Sequence, residues 1–100
     1  MPFPRETFPF TAKLIAGSPE EPGIYLLWQE GEVIYIGRAG GRGATIRSCL
    51  VDHFSGAVGP CTRRATEYSW EISRDPAARE QQALAEYLTE FERLPRCNPA

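Results

Sequence analysis

Gly23-Ile24-Tyr25-Leu26-Leu27-Trp28-Gln29-Glu30-Gly31-Glu32-Val33-Ile34-Tyr35-Ile36-Gly37 is the stretch that decides the fold. In an extended chain Ile24, Leu26 and Trp28 share one face, and Tyr25 and Leu27 the other. Val33 to Gly37 is a second run rich in β-branched and aromatic residues, the composition that suits a pleated surface. Glu30-Gly31 is a turn signal, and only about three residues part the two runs. The stretch therefore predicts an antiparallel hairpin.

Downstream, Arg38-Ala39-Gly40-Gly41-Arg42-Gly43 reads as a flexible loop that allows close backbone approach. It is not a phosphate-binding P-loop, because no Gly-Lys-Ser/Thr follows. Ala44 to Phe54 is helical by period, with Ile46, Cys49, Leu50, His53 and Phe54 in one stripe. Ser55-Gly56 ends it, and Gly59-Pro60 is a further breaker. Ala65 to Ser73 reads as a third strand, with Glu67, Ser69 and Glu71 forming a polar face. Asp75-Pro76 opens a second helix, Asp75 as N-cap and Pro76 at the first helical position, and the helix runs to about Arg93 before Pro95. Upstream, Pro2, Pro4, Pro9, Pro19 and Pro22 exclude a long helix, so residues 1–21 are expected to form an irregular arm and 22–98 the domain. Phe10 to Ile15 is the part of that arm suited to packing on the core. The order β-β-α-β-α implies an α/β (α+β) domain: a three-stranded antiparallel sheet flanked by helices.

The bulk properties fit one small domain of 100 residues. No apolar run is long enough to span a membrane. Met1 to Phe10 lacks the apolar core of a secretory signal, so a cytoplasmic location is expected. Cys49, Cys61 and Cys97 are odd in number and widely spaced, which favours reduced thiols over a disulfide framework. A structural zinc site using Cys49 and His53, with Cys61 and Cys97, is a less favoured alternative. The net charge is −2, yet residues 38–64 carry Arg38, Arg42, Arg47, Arg63 and Arg64 against the single acid Asp52, a local charge of +4. Two readings of that middle are open: a phosphate-facing patch, or solvated arginines.

Glu80 is the most informative side chain. The second helix has its apolar stripe at Ala83, Leu84, Tyr87, Leu88 and Phe91, and at about 100° per residue Glu80 falls at the centre of that stripe. A carboxylate aimed at a core interface needs a partner. That partner is either a metal ion or an arginine. Tyr25 and Tyr35, on neighbouring strands, either pack or orient a water or a phosphate oxygen; a phenol works as a base only if its pKa falls well below about 10. His53 is either a satisfied core residue or a catalyst.

Together these residues resemble the GIY-YIG nuclease superfamily. The name-giving tripeptides stand as Gly23-Ile24-Tyr25 and Tyr35-Ile36-Gly37, and the following helix, the acidic helix and the terminal Asn98 match in order. The resemblance covers residues 22–98. It implies a metal-dependent DNA endonuclease, of the kind that serves DNA repair or recombination, with a single Mg2+ or Mn2+ ion held by Glu80. It implies Tyr25, Tyr35, His53 and Glu80 as catalytic residues, and Gly37 and Asn98 as site support. It implies Arg38 as a basic residue for phosphate contact and DNA as partner, with a protein partner as a further possibility; the basic middle adds Arg42, Arg47, Arg63 and Arg64 as candidates for phosphate or nucleic-acid contact. Spacing back from Asn98 points to Glu86 as an alternative metal ligand; helical phase favours Glu80. One departure weighs against catalysis: four residues before His53, where the family carries an arginine, stands Cys49. Arg47 lies about 160° round the helix from it. The alternative is a weak or inactive GIY-YIG-fold module that binds nucleic acid or protein.

Overall fold

The computed structural model describes residues 6–98. The chain forms β1 (Phe8–Pro9), α1 (Ala12–Ile15), β2 (Gly23–Gln29), β3 (Glu32–Ala39), α2 (Ile46–Ser55), α3 (Pro60–Arg63), β4 (Glu67–Ile72) and α4 (Pro76–Phe91). The strands make one antiparallel sheet in the order β1-β4-β2-β3.

The hairpin closes through two residues. Gln29 pairs with Glu32, and Glu30 and Gly31 both take positive φ, 51° and 85°. That is the backbone a two-residue turn needs to match strand twist. A bulge between Leu27 and Trp28 follows, and it leaves Ile34 unpaired in the register.

Both sheet faces are covered. On one, Tyr25, Leu27, Ala39 and Tyr68 pack against Ile15 of α1 and Ile46 and Leu50 of α2. On the other, Ile24, Leu26, Val33 and Ile36 pack against Ala83 and Tyr87 of α4. β2 is central and buried on both sides. The helix starts follow capping chemistry: Thr45 and Ser48 form a reciprocal box on α2, and the Asp75 side chain accepts from the Ala78 N–H on α4.

Four expectations change. The sheet has four strands, not three, because Phe8 and Pro9 pair with Tyr68 and Glu67. Residues 6–21 are therefore no irregular arm: Phe10 and Ile15 enter the core, and the Ile46 and Arg47 N–H groups donate to the Glu21 and Pro19 carbonyls. Residues 1–5 of that arm lie outside the described residues. The polar face read into the third strand is only partly solvated: Glu67 and Glu71 are half-buried, while Ser69 is fully buried and accepts a 2.9 Å bond from the Trp28 indole. Finally, Cys61 and Cys97 are joined as a disulfide, and Cys49 alone is free. Sequence spacing hid the pair because 36 residues separate them, and only the return of the chain along β3 brings them together. Closing such a loop stabilises by ~4 kcal/mol in the chain-entropy description. With those two cysteines bonded, the zinc alternative loses two of its four ligands.

Candidate active site

The site begins with two glycines. A Cβ on Gly23 would stand 2.1 Å from the Glu71 carbonyl oxygen, so only glycine lets β4 approach β2 here. A Cβ on Gly37 would stand 2.6 Å from the Tyr25 ring and hydroxyl and 2.6 Å from the Tyr35 ring. Gly37 lies opposite Tyr25 in the register, and Tyr35 lies opposite Leu27. Opposed residues share a face, so the two tyrosines converge over the bare backbone of Gly37. Their ring centroids are 6.0 Å apart.

β3 is the sheet edge, and the C-terminal segment covers it. The Asn98 side chain accepts from the Ile36 N–H at 3.0 Å and donates to the Ile36 carbonyl at 2.9 Å. The Cys97 N–H donates to the Ile34 carbonyl. One amide thus satisfies both outward backbone groups of the residue between Tyr35 and Gly37.

α2 brings His53 over the tyrosines, with its ring 4.9 Å from Tyr35 and 5.5 Å from Tyr25. Its Nε2 lies 2.9 Å from the Tyr25 hydroxyl, and its Nδ1 lies 2.8 Å from the Thr62 hydroxyl on α3. Burial pulls the His53 pKa down, partly offset by the Asp52 charge, so the ring is neutral at pH 7. Burial also pushes the Tyr25 phenol far up, with Tyr35 and Cys49 adding to the effect. The Tyr35 phenol, only half-buried, is raised by burial and by the Glu80 charge, while a hydrogen bond from Tyr25 pulls it down. The Cys49 thiol sits beside Tyr25; burial raises it and the Tyr25 contact lowers it.

Glu80 stands on α4, in the opposite layer, and its charge acts on Tyr35. Its carboxylate lies 3.8 Å from the Arg38 guanidinium, too far for a hydrogen bond, and burial raises its pKa while Arg38 lowers it. Glu86 points elsewhere, into a surface depression lined by Gln82, Ala85, Thr89 and Glu90. One of its oxygens is buried with no hydrogen-bond partner among the described residues.

The arginines divide. Arg38 lies at the site. Arg42 is exposed in the loop with φ 53°. Arg47 is engaged away from the tyrosines: its guanidinium donates to the Ser18 carbonyl at 2.8 Å and pairs with Glu20 at 3.0 Å. The helix phase turns it from the tyrosines and makes it a clamp on the segment after α1. Arg63 and Arg64 are exposed on and after α3 and make no hydrogen bond or ion pair with the tyrosines, His53 or Glu80 among the described residues. Sequence reading missed Thr62, since a lone threonine in a short turn carries no pattern; its place directly after Cys61 is the one hint.

This arrangement defines a GIY-YIG-fold domain: an antiparallel sheet whose two tyrosine tripeptides form one hairpin, with helices on both faces. Among solved structures it is similar to the N-terminal GIY-YIG endonuclease domain of UvrC from Thermotoga maritima. The magnesium-bound form matches at 22% identity and TM-score 0.57, over 86% of this chain and 92% of that one. A tyrosine-to-phenylalanine mutant of the same domain, bound to its catalytic divalent cation, matches at 22% identity and TM-score 0.58, over 88% and 93%. An asparagine-to-alanine mutant matches at 23% and 0.59, over 84% and 89%. No family model and no curated protein sequence matches the chain. Among the described residues, no helix is long and apolar enough to cross a membrane.

Proposed function

We propose that the protein is a metal-dependent endonuclease that hydrolyses DNA phosphodiesters at the Tyr25–Tyr35–His53–Glu80 cluster. The observation that carries this reading is the loose pairing of Glu80, from α4, with Arg38 on β3, near enough for the Glu80 charge to raise the Tyr35 phenol.

Glu80 is the residue that would hold a divalent cation. Among the described residues no three His, Cys, Asp or Glu side chains group as a metal cage. A single carboxylate nevertheless suits a hydrated Mg2+ or Mn2+ ion, which keeps its waters and takes further oxygens from a phosphate. The raised pKa of Glu80 fits the same role, because its ionised form is under-compensated by Arg38 alone. When bound, the cation supplies Lewis-acid polarisation of the phosphate and eases ionisation of water.

The chain's own groups do the rest. Arg38 has a half-exposed side chain and a loose ion pair, so it can turn its fork to a phosphate oxygen. Tyr35 presents its hydroxyl at the edge and orients the attacking water. Tyr25 stays protonated behind it, held against His53. Arg42, in the adjoining glycine loop, adds charge toward a DNA backbone, and Arg63 and Arg64 stand further out as weaker contacts. A role in DNA repair fits the likeness to UvrC.

The test is cleavage of branched, single-stranded and duplex DNA with magnesium or manganese. Glu80→Ala is expected to lose ~100-fold or more in rate, the scale of removing a principal source of transition-state charge stabilisation. Cleavage unchanged by that substitution would refute the assignment.

A second reading is favoured by one observation: Cys49 stands four residues before His53 on α2, and its thiol is 4.0 Å from the Arg38 carbonyl. On that reading the domain binds nucleic acid, or a partner protein, without cutting. It predicts salt-sensitive DNA binding with no cleavage under either metal. The cytoplasmic location expected from sequence belongs to the proposal as well, and the Cys61–Cys97 bond weighs against it. Thiol counting on protein isolated under non-reducing alkylation decides: one reactive thiol means the bond is kept, three mean a reducing compartment.

A further inference from the structure

Thr62 has no place in the reading above, yet it is as buried as the core, at 2% exposure, and so is His53. Each nitrogen of this imidazole has one hydroxyl partner: Tyr25 on Nε2 at 2.9 Å and Thr62 on Nδ1 at 2.8 Å. A neutral imidazole carries one N–H, so one hydroxyl must donate to the ring and the other must accept from it.

Proton counting chooses between the two directions. Suppose Nδ1 carried the hydrogen. Thr62 would then accept, and its own buried O–H would need another acceptor. Among the described residues, His53 is the one hydrogen-bond partner of that hydroxyl. The opposite direction leaves nothing over: Thr62 O–H donates to Nδ1, and Nε2–H donates to the Tyr25 oxygen. The Tyr25 proton then has groups to turn to, since Tyr35, whose ring centroid lies 6.0 Å away, and Cys49 both act on this phenol and hold it protonated. Buried polar groups settle into the arrangement that satisfies them all.

We propose that Thr62 is a positioning residue that holds His53 as the Nε2–H tautomer and thereby directs a one-way run of hydrogen bonds, Thr62 to His53 to Tyr25, at the tyrosine pair. The fold supports that role. α3 is a single turn, too short to hold itself, and the Cys61–Cys97 bond ties it to the segment whose Asn98 clamps β3. Thr62 and Asn98 are thus next to the two ends of one crosslink, and the histidine side and the strand side of the site keep a common register. The consequence for the reaction is that Tyr25 receives a hydrogen bond at its oxygen and offers its own proton forward, toward Tyr35.

The kinetic part of this inference rests on the endonuclease reading; the tautomer part does not. His53 is the sole histidine of the chain, so long-range proton–nitrogen correlation NMR of histidine-labelled protein reads its tautomer without ambiguity. The expected wild-type spectrum at pH 7.5 shows hydrogen on Nε2 and a bare Nδ1. Thr62→Val is expected to abolish that preference and to lower kcat for DNA cleavage roughly 10-fold with KM held, the scale of losing an outer partner that orients a functional histidine. Thr62→Ser keeps the hydroxyl and is expected to restore both. Hydrogen on Nδ1 in the wild type overturns the inference, and so does a Thr62→Val protein with unchanged tautomer and kcat. Should Thr62→Val fail to fold, the wild-type and Thr62→Ser spectra still decide. Wild-type protein that cuts no DNA removes the endonuclease reading and leaves the tautomer to be judged by its spectrum.

Discussion

The two halves of the candidate site are built on opposite terms. In the tyrosine–histidine half, Tyr25, His53 and Thr62 are almost wholly buried and hydrogen-bonded to one another. Gly37 lies beneath them, Asn98 pins the strand edge, and a disulfide ties the supporting segments. In the arginine–glutamate half, the Arg38 side chain is 54% exposed and meets Glu80 only at 3.8 Å. The adjoining loop runs through three successive positive φ or glycine positions, Gly41, Arg42 and Gly43. The contrast separates two tasks. Groups that orient hydroxyls gain from a fixed, dry setting, where direction is set before any ligand arrives. Groups that meet a mobile, charged ligand keep their hydration and freedom until it binds. Substitutions should therefore cost stability in the first half and little in the second.

Gly37→Ala is the largest expected effect. The added carbon meets both tyrosine rings and the Tyr25 hydroxyl at 2.6 Å. The Tyr25 ring is buried and held by His53, so it has no room to retreat, and the cost is ~3 kcal/mol, the upper range of overpacking. The control is Gly31→Ala, where nothing lies within 4 Å but φ is +85°; that change costs ~1 kcal/mol for the left-handed backbone alone. Urea unfolding of the two variants gives the difference. Equal costs would mean that Gly37 serves only its backbone, and the buried half would lose its main steric argument.

Much of this arrangement can be read along the chain, and the rest has physical reasons to be hidden. Tyr25, Tyr35 and Gly37 announce themselves through the two-residue period of the hairpin, because strand pairing turns period directly into neighbourhood. Glu80 stands out by helical phase. The same phase places Arg47 away from the tyrosines, and its contacts with Ser18 and Glu20 follow from that. β1 was hidden because two residues carry no period, and proline at Pro9 argues against a strand; an edge position resolves the conflict. Ser69 looked solvated on alternation alone, and only the third dimension supplies the Trp28 indole that satisfies it. Thr62 and the Cys61–Cys97 pair depend on where α3 and the C-terminal segment come to lie, and no local rule specifies that.

Asn98→Ala is the next expected effect. It removes the donor and the acceptor that serve Ile36 on the edge strand. At ~1 kcal/mol per net hydrogen bond, the loss is ~2 kcal/mol. Arg38→Ala, on the exposed half, is expected to change stability by less than ~0.5 kcal/mol, as exposed ion pairs generally do. Hydrogen exchange at the Ile36 amide should accelerate in Asn98→Ala and stay slow in Arg38→Ala. The reverse pattern would mean that the edge is held by the ion pair across to α4, and the division between the halves would fall.

The last expected effect is a slope with pH, and it isolates the buried half because of its sign. Burial lowers the His53 pKa in the folded chain from its ordinary value of 6.5. Above that value neither folded nor unfolded chain binds a proton there, and stability is full. As pH falls below it, the unfolded chain takes up a proton that the folded chain refuses. Stability is then lost at up to ~1.4 kcal/mol per pH unit, until the folded pKa is passed. Glu80 acts in the opposite sense and lower down: its folded pKa is raised from 4.5, so protonation there favours the folded chain. Between pH 7.5 and 5.5 the histidine is thus the main contributor, and total loss over that span is at most ~1.4 kcal/mol. His53→Gln, which keeps a polar side chain without a titrating ring, should flatten the slope of urea midpoints across this range. A slope that survives the substitution would mean that the ring accepts a proton in place, against Tyr25 and Thr62. The buried half would then be a charged site as adjustable as Arg38 and Glu80.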